Sequence, residues 1–191
     1  GIIISTHLES KYLDSLYNDC LNTLNLETLK PEIVIQACDM LYKRVINGEF
    51  NEIIFPLLKS SNISYERFRD MAQLFSKEEL EYKYTIELGD ILHPLKNGTI
   101  RKRYPLGILF HIAAGNVDGL PAYSVIEGLL SGNINILKLP SSDNGLSIRL
   151  LYELIQIEPK LKEFIYVFDV PSTDFTTIQK LASMADGIVV W

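Results

Sequence analysis

The sequence predicts an α/β fold in which a helical N-terminal segment precedes an open, parallel sheet of nucleotide-binding type. Three observations carry that expectation. Apolar residues recur at helical spacing through residues 1–90. Short apolar runs then alternate with helical stretches from Pro105 to Trp191. Most of those runs are continuous, as strands covered on both faces require. The chain is accordingly divided into a helical segment, 1–90, and a hairpin plus sheet, 91–191.

The elements follow in order. Thr6 and Glu9 have capping-box spacing ahead of Leu8, Tyr12, Leu16, Cys20 and Leu21, which share one helical face. Pro31 suits a first helical turn, Val34, Ala37, Cys38, Leu41 and Val45 form the stripe, and Gly48 suits the stop. Ser64 precedes Tyr65, Phe68, Met71, Ala72 and Phe75, a third amphipathic helix, and Ser76 with Glu79 starts a short fourth. Both cysteines and the aromatic stripe read as core.

Asn97-Gly98 marks a two-residue hairpin between Ile91–Lys96 and Thr99–Tyr104, and the cluster of Lys96, Arg101, Lys102 and Arg103 on it is either a solvated strand face or a contact for an anionic cofactor or substrate tail. Beyond it the strands are Leu106–Ala113, Ile134–Leu139, Phe164–Val170 and Gly187–Trp191. The helices between them span about Leu120–Leu130, Gly145–Ile157 and Thr173–Ala185. The alternation implies right-handed parallel crossovers.

The 191 residues are 47% hydrophobic, enough for a sizeable core, and carry a net charge of −6, which argues against nucleic acid or anionic lipid as partner. Gly1–Ile4 gives way to polar residues too soon for a leader or a membrane span, and two widely spaced cysteines suit a reducing cytoplasm and no metal cluster.

In open α/β sheets ligands bind beyond the carboxyl ends of the strands. That rule selects the loops Ala114–Gly119, Lys138–Asp143 and Asp169–Ser172. No GxGxxG follows the first strand. Asn116 is either a turn residue or an amide donor to a developing oxyanion. Lys138 interrupts an apolar strand, and a buried ammonium calls for a partner such as a ribose or phosphate. Asp143 is placed to cap the helix near Gly145, and His111 reads as a core or interface histidine.

The stretches Tyr104-Pro105-Leu106-Gly107-Ile108-Leu109, His111-Ile112-Ala113-Ala114-Gly115-Asn116-Val117 and Ser131–Pro140 resemble the aldehyde dehydrogenase superfamily. The Ala-Gly-Asn-Val loop, Leu139-Pro140-Ser141-Ser142-Asp143 and Ala185–Trp191 are most similar to its acyl-CoA reductase family, the LuxC type of fatty acid reductase. The resemblance is specific over residues 104–191 and loose before them. It implies an aldehyde-dehydrogenase-type, Rossmann-like sheet that binds a nicotinamide cofactor without the glycine fingerprint. Asn116 would hold the oxyanion, Lys138 would contact the adenosine ribose, and Ala114, Gly115, Pro140 and Ser141 would complete the cofactor site.

The implied reaction is reduction of a long-chain acyl-CoA or other acyl thioester to an aldehyde through an acyl-cysteine. The family's nucleophile follows the sheet, whereas Cys20 and Cys38 precede it, so the chain reads as an inactive N-terminal part of a longer, oligomeric reductase. Acyl-transferring enzymes are the implied partners, and luminescence is one setting of the family. Ser141 stands where NAD-preferring relatives carry a glutamate, so NADPH is expected over NADH. Aldehyde oxidation, glutamyl phosphate reduction and a non-catalytic nucleotide-binding domain are the competing readings.

Overall fold

The computed structural model of the chain describes residues 10–89, 104–113 and 119–191. Five helices come first: α1 (Ser10–Leu26), α2 (Pro31–Ile46), α3 (Asn51–Ser60), α4 (Tyr65–Gln73) and α5 (Lys77–Leu88). Then β1 (Ile108–Ile112), α6 (Leu120–Leu130), β2 (Ile134–Lys138), α7 (Leu146–Ile157), a 3₁₀ turn (Pro159–Glu163), β3 (Ile165–Phe168), α8 (Phe175–Ser183) and β4 (Gly187–Val190) alternate. The fold is α/β with an open parallel sheet, as the alternation implies.

The strand order is β3-β2-β1-β4, with every pairing parallel. Chain direction across the sheet therefore reverses beside β1. Right-handed crossovers put α6 and α7 on one face and α8 on the other. In-register residues share a face, so Leu109, His111, Asn135, Leu137, Ile165 and Val167 look towards α6 and α7. Phe110, Ile136 and Tyr166 look the other way, where the Tyr166 hydroxyl meets the Cys20 thiol of α1.

Of the other N-terminal helices, α2 packs against α6 and α7, and α3 against α7. Val34, Ala37, Cys38, Leu41 and Val45 are all buried, as the periodicity predicts, and Gly48 ends the helix at φ +78°. Ser64 Oγ accepts from Arg67 N at 3.2 Å, and Ser76 Oγ from Glu79 N at 3.4 Å, so both predicted caps form. Asp39 of α2 reaches the start of α5, accepting from Lys77 N at 3.1 Å.

Several expectations are corrected. Tyr12 and Leu21 are exposed, and Leu13 replaces them on the buried side of α1. The helix after Ser76 runs for 12 residues rather than being short. Helix α3 is absent from the sequence reading because Pro56 lies inside it; Pro56 and Glu52, whose carbonyl loses a donor, are both exposed to water. The strands stop short of the apolar runs. Strand β4 is not covered on both faces: Ile188 and Val190 are 54% and 68% exposed. It stands at the edge of the sheet, and no described element lies over those two side chains. The predicted capping box and the hairpin with its basic cluster lie outside the described residues.

Candidate functional site

Lys138 ends β2, in register with Ile112 of β1 and Phe168 of β3, and so sits at the carboxyl edge of the sheet. Its side chain lies on the face opposite α6 and is only 5% exposed. A buried ammonium is costly unless its protons are placed. One of them goes to Ser172 Oγ at 2.8 Å. Ser172 is exposed in the loop that follows β3, so the buried charge is drawn towards the surface through a hydroxyl. The Lys138–Asp143 and Asp169–Ser172 loops thus share one edge, as predicted.

Pro140 is buried and Ser141 exposed beside this edge. Asp143 Oδ1 accepts from Gly145 N at 2.8 Å, so its carboxylate holds the turn immediately before α7 rather than capping a first-turn amide of the helix. Ala114, Gly115 and Asn116 lie outside the described residues. Ser172 was missed by sequence reasoning. Because β3 flanks β2, a hydroxyl in the loop after β3 is the natural neighbour of a lysine at the end of β2.

His111 is a core histidine, as predicted, 1% exposed. Its Nδ1 lies 2.7 Å from Ser124 Oγ and its Nε2 3.0 Å from Asn135 Oδ1. Burial pushes its pKa below the usual histidine range.

Neither cysteine is available for chemistry. Both are fully buried, and burial pushes the Cys20 thiol up to about 12 and the Cys38 thiol higher still. A nucleophile must be a thiolate near neutral pH, which these are not. No cluster of three or more His, Cys, Asp or Glu side chains suited to a metal ion occurs among the described residues. No described helix is long and apolar enough to cross a membrane.

A concavity lies at the opposite, amino edge of the sheet. It is a groove of about 600 Å³ lined by Leu29, Pro31, Tyr84, Pro105, Leu130 and Gly132, among others. Tyr104, Pro105, Ser131 and Gly132 of the resembling stretches line it, whereas Lys138, Pro140 and Ser141 do not.

Comparison with known proteins adds a family to this geometry. A family model described as acyl-CoA reductase (LuxC) matches residues 32–191. A long-chain acyl-protein thioester reductase of Vibrio harveyi is 29% identical over 93 residues, covering 47% of this chain and 20% of that protein. The matched stretch thus spans a fifth of the relative's length. No solved structure matches the chain.

Proposed function

The chain belongs to the LuxC acyl-CoA reductase family, and from that premise we propose that it is the cofactor-binding part of an enzyme that reduces an acyl thioester to an aldehyde. The substrate is a long-chain acyl group carried on coenzyme A or on a protein thiol, in keeping with the Vibrio harveyi relative. The observation that carries the reading is the buried Lys138 at the carboxyl edge of a parallel sheet, linked to an exposed hydroxyl.

The donor set fits a nicotinamide dinucleotide. Lys138 and Ser172 offer a cation and a hydroxyl where a ribose would lie, and Pro140 and Ser141 border them. Such a cofactor supplies hydride when bound. Lys138 binds and orients; with its stem buried, the ammonium has little freedom to lose on binding. Asn116 donates its amide to the acyl oxygen as negative charge develops there. The thiolate that takes the acyl group comes from outside these 191 residues, because Cys20 and Cys38 are buried with raised pKa values.

Ser141 sets the cofactor preference. A serine there leaves a 2′-phosphate unopposed, whereas a carboxylate would repel it, so NADPH is preferred to NADH. The enzyme acts in the cytoplasm as an oligomer, alongside enzymes that deliver its acyl groups.

The test is single-turnover acylation in the polypeptide that carries the nucleophile. Asn116→Ala is expected to slow acylation by about 10²- to 10³-fold, the usual loss for one oxyanion donor, with acyl-CoA binding unchanged. A folded variant that acylates at the wild-type rate refutes the oxyanion role. The 191-residue chain alone is expected to make no aldehyde from acyl-CoA with either cofactor.

A further inference from the structure

Between the sheet and α6 lies a polar cluster that the steps above do not use. His111 of β1, Ser124 of α6 and Asn135 of β2 are buried, and Trp191 follows β4. The hydrogen bonds joining them admit one consistent direction. Asn135 Nδ2 donates to the carbonyls of Asn133, at 2.8 Å, and Phe164, at 3.4 Å, which turns Oδ1 towards His111. An amide oxygen only accepts, so His111 Nε2 carries the proton. In the neutral ring Nδ1 is then an acceptor and takes the Ser124 hydroxyl proton at 2.7 Å. Ser124 Oγ in turn accepts from the indole Nε1 of Trp191 at 2.8 Å.

Every donor in this series has an acceptor, and it crosses the place where the strand order reverses, between β1 and β4. Burial disfavours the imidazolium, in agreement with a neutral ring. His111 and Ser124 also stand on the two sides of the β1-to-α6 connection, whose sequence contains Asn116.

We propose that His111 and Ser124 are positioning residues for acyl reduction, clamping together β1 and α6, the two elements that flank Asn116 in the sequence, with Trp191 tying the end of β4 to the same hydroxyl. This rests on the acyl-reductase reading. The clamp acts through Asn116 and touches neither substrate nor cofactor.

Asparagine reproduces the acceptor at the Nδ1 position of histidine, and glutamine the donor at the Nε2 position. His111→Asn therefore keeps the Ser124 contact, while His111→Gln keeps Asn135 and gives up Ser124. In the polypeptide that carries the nucleophile, His111→Gln is expected to slow single-turnover acylation on the order of 10- to 100-fold with the Kd for acyl-CoA unchanged. His111→Asn is expected to stay near the wild-type rate. Equal losses in both variants, or a loss carried by Kd alone, overturn the positioning role.

A second measurement does not depend on activity or on a variant folding. Nitrogen NMR of the imidazole in the wild-type chain is expected to show the neutral Nε2–H tautomer at neutral pH. An Nδ1–H ring or an imidazolium overturns the clamp. The expected tautomer in a wild-type protein that fails to acylate overturns the acyl-reductase reading and the positioning role with it. Normal wild-type acylation with no difference between the two variants overturns the positioning role alone.

Discussion

Among the described residues Lys138 is the buried lysine, and under the proposed function its neighbourhood decides what the carboxyl edge recognises. Ser141, three positions on, is exposed and free to meet a ligand group without moving the core. Ser141→Glu is expected to shift kcat/KM from NADPH towards NADH, since the new carboxylate repels a 2′-phosphate and accepts from a ribose hydroxyl. Kinetics with both cofactors check this, and a wild type that favours NADH contradicts it. His111 sets a pH dependence of stability. Its folded pKa lies below the unfolded value because burial disfavours the charged ring. Stability is therefore full above the unfolded pKa and falls as the pH drops through about 6.5, by at most about 1.4 kcal/mol per pH unit. Thermal melts of wild type and His111→Asn at about pH 7.5 and about pH 5.5 test the sign. The wild type should lose more Tm on acidification than the variant, and equal losses contradict the assignment.

At the scale of elements, glycine placement is dictated by contacts across them. Gly128 lies in the last turn of α6, and alanine in place of a helical glycine normally gains up to about 1 kcal/mol. Here a Cβ would collide with the Asn135 carboxamide. Gly128→Ala is expected to destabilise the fold by about 1–3 kcal/mol, as overpacking does, and urea melts read it directly. A stabilised variant would mean that Asn135 is not fixed as described. The same contacts explain what the sequence revealed and what it hid. Helices α2 and α4 and the alternation after Pro105 were legible because each stripe or apolar run faces one continuous core. Helix α3 was hidden by Pro56, and the exposure of β4 depends on its edge position, which local periodicity does not encode. Of the residues that carry the family resemblance, several turn out to build the amino edge rather than the site. Gly107, at φ +128°, lies against the Asp186 carboxylate, which accepts from Ile108 N at 2.8 Å. Asn133 Oδ1 accepts from Gly107 N at 3.0 Å. Lys138 was legible as a charge inside an apolar strand, but Ser172 was not, because their contact depends on which strand neighbours β2.

For the whole molecule, the two edges of the sheet differ in what they hold. The amino edge is knitted by Asp186, Asn133 and Gly107, and the carboxyl edge holds Lys138, Ser141 and Ser172. Ion pairs join the layers around them. Lys83 of α5 reaches Glu127 of α6 at 2.5 Å and lies 5.5 Å above the Tyr123 ring. Burial opposes its charge, but hydrogen bonds to Glu127 and Glu87 outweigh it and hold its pKa above the usual lysine value. Glu27 pairs with Lys160 at 2.7 Å, and Asp14 of α1 with Lys180 of α8 at 3.5 Å. At the described carboxyl edge, the ends of β2 and β3 are joined by the Lys138–Ser172 hydrogen bond. The most direct measurement is therefore a titration of this chain with NADPH followed by backbone amide NMR, with Lys138→Met as control. Shifts are expected to gather in Leu139–Asp143 and Asp169–Thr173 and to vanish in the variant. Shifts confined to the amino-edge groove of Leu29, Pro105 and Gly132, or none in the wild type, would contradict the assignment of this edge to a nicotinamide cofactor.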